Sequence, residues 1–338
     1  MAVKRKKVLI IRLNAMGDVI LALPVAMAVK NHDPGIVVDF ATRKEYASIF
    51  DQFPAVDTAF GFDGSTRDFL RQLKQQKYDT VIDLQKNPRS IILTAGINPK
   101  SVASYPKRRI KRELIIRRPT LGLDAGHTVD AYLKALDRLK IKPLTRRPRV
   151  ELQPEIARYG EDFIKNTGLT GKVIGLCPGS KHYEKRWLGY EDLAKLLISD
   201  DDKGVVVFSG PHDDFDPNLN ISSHKLAAAY KLQLDKVAGV MSRCDLVVTN
   251  DSGLMHLAVA LSVPVVAIFG PTHPSLGFSP LGQFDRVICD NVNCSPCSLH
   301  GEKKCRMPRK FCFEKITPER VKAEVEEILY AESTSKIL

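Results

Sequence analysis

The sequence predicts an α/β protein of two halves, each built of parallel strand–turn–helix units, and three observations carry that expectation. Short apolar runs suited to buried strands alternate with stretches of helical periodicity along most of the 338 residues. Glycine-bearing turns follow two of these runs, at 14–18 and 250–253, where a strand hands over to a helix. The length suits two domains, each able to bury its own core.

In chain order, 8–13 reads as a strand and 14–18 as a tight turn into a helix running through 29. Strands are expected at 36–41 and 80–84, the latter after an amphipathic helix at 69–76, and a helix around 128–139 closes a first domain at 1–150. The stretch 146–149, with Pro143 and Pro148 nearby, reads as a linker. The second domain, 151–316, is expected to alternate again. Its strands lie at 173–177, 205–209 and 246–249, and its helices at 190–197 and 234–242. A helix carrying Leu254, Leu257, Ala258 and Leu261 follows, stopped by Pro264, and then a strand at 265–269. Thr317 and Pro318 open a last helix ending near Tyr330, and 317–338 is expected as a C-terminal helix packing back on the first domain.

The longest apolar run, 257–269, is broken by Pro264 and falls short of the roughly 18 residues of a membrane span. The N-terminus has the basic start and apolar body of a signal peptide, but Arg12 and Asp18 interrupt that body. A cytoplasmic protein is the expectation.

Candidate site residues lie where strands end. Ser252 and Gly253 sit at a helix N-terminus, where free N–H groups and the dipole attract phosphate, and His256 follows one turn along. The alternative is that Asp251 and Ser252 merely cap the helix. Asp18, next to Gly17, could accept a proton from a bound hydroxyl, or could simply complement a helix dipole. Ser180 offers a hydroxyl after the strand at 173–177, and Lys185 offers charge for a pyrophosphate. In the loop 210–214, Asp213 could hold ribose hydroxyls or be a surface turn.

Together the stretches VLIIRLNAMGDVILALP, CPGSKHYEKRW, NDSGLMHLAVALSVPVVAIFGPTHP and the cysteine segment beyond them resemble the family 9 glycosyltransferases, the ADP-heptose:lipopolysaccharide heptosyltransferases. The resemblance implies a GT-B type fold with two Rossmann-like domains facing a cleft. The first domain would take the acceptor and the second the nucleotide-sugar donor. It implies inverting transfer of heptose from ADP-heptose to the lipopolysaccharide inner core at the cytoplasmic face of the inner membrane, by a peripherally associated enzyme. Asp18 then matches the catalytic base. Gly17, Ser180, Lys185, Asp213, Asp251, Ser252, Gly253 and His256 match substrate-binding positions. No cofactor is implied for the chemistry, since lysine and helix dipoles can take the charge of the departing diphosphate.

The formal net charge of +12 is uneven: residues 1–150 hold 29 Lys and Arg against 14 Asp and Glu. Such a field favours an anionic partner, or is a solvated basic face. Aromatic residues are not interleaved with the basic ones, which weakens the single-stranded nucleic acid reading. Of seven cysteines, Cys294, Cys297, Cys305 and Cys312 cluster within 294–312. In a cytosolic chain this spacing reads as a structural zinc or iron site, or as reduced thiols in a stable loop. Cys177, Cys244 and Cys289 read as core residues. Three alternatives remain open: a protein O-heptosyltransferase with cysteine-bound iron, a nucleotide-sugar epimerase, and a non-catalytic anion-binding protein.

Overall fold

The computed structural model describes residues 5–210 and 213–335. Its contacts divide the chain into two compact units, 1–107 with 128–153, and 108–127 with 154–338.

The first unit opens with β1 (Lys7–Ile11), α1 (Met16–Leu21) and α2 (Leu23–His32). The single helix expected through 29 is two helices because Pro24 falls in the first turn of α2, where its missing N–H cannot continue α1. β2 (Val37–Arg43), α3 (Lys44–Ala47), β3 (Thr58–Phe62), α4 (Thr66–Gln75), β4 (Thr80–Asp83), α5 (Pro88–Ile97) and β5 (Ser101–Ser104) follow. The five strands form one parallel sheet in the order β3-β2-β1-β4-β5. Leu9, Ile11, Phe60, Phe69, Leu73 and Val81 are among the side chains that fill one face. The chain then leaves for the second unit with α6 (Arg109–Arg117) and returns as α7 (Thr128–Leu133), which tightens to a 3-10 helix at Lys134–Leu139. The helix expected over 128–139 is therefore α-helical only in its first half.

The second unit proper runs α8 (Pro154–Thr167), β6 (Lys172–Cys177), α9 (Tyr190–Ile198), β7 (Lys203–Ser209), β8 (Leu226–Tyr230), α10 (Leu234–Met241) and β9 (Leu246–Asn250). α11 (Gly253–Ala260), β10 (Val265–Phe269), β11 (Arg286–Cys289), α12 (Phe311–Glu314) and α13 (Pro318–Ser335) complete it. Its sheet is parallel, in the order β11-β10-β9-β6-β7-β8. The last helix belongs to this unit, with Val321, Val325 and Ile328 in the core beside Leu193, Leu197 and Val248. Thr317 Oγ1 accepts the N–H of Arg320 at 3.3 Å, so the expected cap is present.

In each sheet the strand order reverses once, between β1 and β4 and between β6 and β9. The loops that leave the carboxyl ends of such strand pairs diverge and make room for ligands. Among the described residues no helix is long and apolar enough to cross a membrane.

Candidate active site

In the first unit the reversal point is organised by Gln85, just beyond β4. Its Oε1 accepts the N–H groups of Leu13 (2.9 Å) and Asn14 (3.2 Å), and its Nε2 donates to Asn14 Oδ1 at 3.1 Å. This fixes the turn that carries Gly17 and Asp18 into the start of α1. One Asp18 carboxylate oxygen lies 2.6 Å from an Arg12 guanidinium nitrogen, and the other accepts the Tyr132 hydroxyl at 2.8 Å. The Asp18 side chain stays 13% exposed. Access therefore survives the double grip.

Arg12 itself is buried; it donates to the Leu84 carbonyl at 2.6 Å and stacks 5.5 Å from the centre of the Tyr132 ring. Burial works most strongly against its charge, but Asp18 together with Tyr132 and Tyr105 outweighs it, and the guanidinium stays protonated with its pKa above the ordinary value. Burial, then the Asp18 charge, holds the Tyr132 phenol well above its usual range, so it remains a donor. The sequence argument took Arg12 only as an interruption of an apolar run. A charge closing a buried strand is the signal that could have found it. Tyr132 gave none.

In the second unit, Asn250 does what Gln85 does in the first. Its Oδ1 accepts the Trp187 N–H at 3.1 Å and its Nδ2 donates to the Pro178 carbonyl at 2.8 Å, tying the loop after β6 to the end of β9. That brings Lys185 to Asp251, with Nζ 2.8 Å from the carboxylate and both side chains nearly buried. Burial pushes the Asp251 pKa up; Lys185, with smaller contributions from Thr272 and then His256, more than reverses this, and the carboxyl lies below its usual range. Ser252 is the N-cap of α11, yet its side chain makes no capping bond and sits 3.3 Å from Thr249 Oγ1 instead. The reading of Ser252 as a plain side-chain cap does not hold in this geometry, and the first N–H groups of α11 are left to another acceptor.

Asp213 turns back on its own loop, where Oδ2 accepts the Gly210 N–H at 2.8 Å; residues 211–212 of that loop lie outside the described residues. Its carboxylate also packs on Gly179, where a Cβ would stand 2.7 Å from both oxygens. Only glycine lets the loops after β6 and β7 come this close. Ser180 is buried, and its carbonyl accepts two bonds from Arg186, which is also paired with Asp214. His256 is buried on α11. Asp213, Ser180, Lys185 and the α11 N-terminus thus all belong to loops at the carboxyl ends of β6, β7 and β9. Such a group combines a lysine, helix N–H donors without an acceptor among the described residues, a hydroxyl and a carboxylate, the partners that a diphosphate and a ribose require.

The cysteine segment supports this group from behind. Cys297 N–H donates to the Pro271 carbonyl (3.0 Å) and Ser295 Oγ to the Gly270 carbonyl (2.6 Å), which laces the segment to the loop after β10. Gly301, at φ +78°, lies against the Lys185 stem so closely that a Cβ would sit 2.3 Å from its Cγ. Cys294, Cys297, Cys305 and Cys312 line one cavity of about 520 Å³. Among the described residues, however, no three metal-ligating side chains are drawn together as a ligand set. Cys177 and Cys244 are core residues as expected, while Cys289 is only half-buried at the end of edge strand β11.

The chain is similar over most of its length to proteins of one kind. The lipopolysaccharide heptosyltransferase 1 of Pseudomonas aeruginosa is 25% identical, over 97% of this chain and 99% of that protein. The family 9 glycosyl transferase of Veillonella parvula has the same fold, with a TM-score of 0.80 at 23% identity over 98% and 99% of the two chains. The ADP-heptose lipopolysaccharide heptosyltransferase II of Escherichia coli superposes with a TM-score of 0.74 at 24% identity, over 97% and 99%. The family described as glycosyltransferase family 9 (heptosyltransferase) matches residues 66–308, well over half of the sequence. The protein therefore belongs to glycosyltransferase family 9 and is a glycosyltransferase enzyme.

Proposed function

We infer that the protein transfers a heptose from ADP-heptose to the lipopolysaccharide inner core, on the cytoplasmic face of the membrane, with inversion at the anomeric carbon. The names of its relatives support the donor and acceptor classes. The single observation that most supports the chemistry is the accessible Asp18 carboxylate, oriented by Arg12 and Tyr132 at the end of β1. A base must hold its lone pair toward the proton it takes, and two fixed partners restrict the carboxylate to one rotamer.

In this reading Asp18 takes the proton of an acceptor hydroxyl as that oxygen bonds to the anomeric carbon. The bond from that carbon to the diphosphate breaks, with oxocarbenium character at the sugar. Charge growing on the departing ADP meets the Lys185 ammonium, the Ser180 hydroxyl and the N–H groups at Ser252 and Gly253. Asp213 accepts ribose hydroxyls, Asp251 holds Lys185 in place, and His256 stands buried one turn into α11. The test is incubation with ADP-heptose and a deacylated inner-core oligosaccharide. A product one heptose heavier, formed with one ADP and opposite anomeric configuration to the donor, is expected. Hydrolysis or isomerisation of the donor without transfer would refute the reading.

Gly301 supplies a test of the Lys185 role that leaves Lys185 itself untouched. Gly301→Ala adds a Cβ where the lysine stem already lies, at a backbone angle that side chains rarely adopt. Turnover should fall about tenfold, with a smaller effect on acceptor affinity, because one displaced electrostatic group costs on that order. Unchanged turnover would mean that the segment does not position Lys185.

Cys294, Cys297, Cys305 and Cys312 are assigned a structural zinc or iron. Burial first, and then the neighbouring thiols, push Cys312 up to about 12 and raise Cys297, and all four cysteines line one cavity. The metal would hold the four thiolates and tie down a segment with few apolar side chains, once the segment tightens around it. Cys305→Ser should lower metal content and, by about 5 °C or more, the melting temperature together. Metal-free wild-type protein after anaerobic, chelator-free purification would dispose of the assignment.

A further inference from the structure

The stretch 108–127 carries six Lys and Arg against two Asp and Glu, and it belongs to the second unit. Its helix α6 is anchored on one side. Ile115 packs with Ala125 and Leu276, and Arg112 donates to the Leu276 carbonyl at 2.9 Å while stacking 4.6 Å from the centre of the Phe278 ring. Arg108 fixes the return of the stretch by donating to the Ala125 carbonyl at 2.6 Å.

At about 100° per residue, Ile110 points almost opposite Arg112, and Leu114 follows one turn along. Ile110 is 87% exposed, Leu114 44%, and Leu121 in the turn beyond the helix 57%. Scattered exposed leucines are ordinary, but three on one anchored element, led by a nearly bare isoleucine, are not. Around them Arg109, Lys111 and Arg118 are exposed, and none has an ion-pair partner among the described residues. The adjoining rim continues the pattern. Lys303, Lys304, Arg306 and the 42% exposed Met307 line the same cavity as Glu113, Ile116 and Arg117 of α6.

We propose that the outer face of α6, with Leu121 and the rim at 303–307, is the surface by which the enzyme docks on an anionic lipid bilayer. The chemistry selects this occupant. Apolar side chains standing among unpaired cations fit the boundary between acyl chains and phosphates, where Ile110, Leu114 and Leu121 enter and the lysines and arginines reach the headgroups. A nine-residue helix held from behind presents that face without paying to order it. The proposal rests on the reading that the acceptor is carried by a membrane, and it names the face that meets that membrane.

The test is flotation with vesicles of phosphatidylcholine alone and of phosphatidylcholine with about 30% phosphatidylglycerol. The full chain should float with the anionic vesicles, and less so as salt is raised. Ile110→Ser/Leu114→Ser should bind them about tenfold more weakly, since two apolar side chains no longer leave water. Lys111→Glu/Arg118→Glu should do the same. Both pairs are exposed, so melting temperature and turnover on a water-soluble, deacylated acceptor should be unchanged, while turnover on acceptor embedded in vesicles drops. Wild-type protein that does not float, or an Ile110→Ser/Leu114→Ser variant that floats like wild type, overturns the proposal. So does a wild-type dimer that this variant dissolves, which would make the face a contact between copies. A protein that floats as expected but transfers no heptose upholds the docking face and defeats the functional reading alone.

Discussion

Asp18→Asn should lower turnover by roughly 10²–10⁴ while leaving ADP affinity close to wild type. The amide keeps the shape of the carboxylate but cannot take a proton, and the residues proposed to bind the donor lie in the other unit of the chain. The substitution also leaves Arg12 buried without its anion, which costs about 3 kcal/mol. Part of that penalty is offset by the Leu84 carbonyl and the Tyr132 ring, which Arg12 keeps. Melting must therefore be measured beside turnover. Tyr132→Phe separates orientation from proton transfer: it removes one hydrogen bond to Asp18 and spares the base. Its expected effect is about tenfold on kcat, with little on the donor KM. Near-wild-type turnover in Asp18→Asn would reduce Asp18 to a charge at a helix end.

Lys185→Met should lower turnover by about 10²–10³, the usual cost of removing one preorganised group from developing charge. It also strands Asp251, a nearly buried carboxylate whose ionised form Lys185 maintains, so the fold should lose about 3–5 kcal/mol. The pair of effects can be taken apart. Lys185→Met/Asp251→Asn removes both charges, and it should recover most of the stability while remaining as inactive as the single variant. If the double variant regained activity along with stability, Lys185 would serve the fold and not the reaction.

The interior of both sheets was legible in the sequence. Every strand read from apolar runs, at 8–13, 36–41, 80–84, 173–177, 205–209, 246–249 and 265–269, corresponds to a strand with neighbours on both sides. The four that were not read, β3, β5, β8 and β11, are the four sheet edges. An edge strand need not bury both faces and both margins, so a segment such as SVAS carries no apolar run to betray it. The excursion through α6 was equally hidden, because its helical period says what the helix buries but not in which unit it does so.

The candidate residues divide along the same line. The sequence by itself determined on which loops the candidate residues lie, since glycine turns after buried strands put Asp18, Ser180, Asp213 and Ser252 beyond strand ends whatever the surrounding packing. Only the tertiary structure decided their partners. Tyr132 reaches Asp18 across 114 residues of chain, Asn250 reaches Pro178 across 72, and Gly301 backs a lysine on a different loop. Periodicity reports what neighbours along one element share. These pairings are set by which elements the sheet order brings side by side, and no local pattern encodes that.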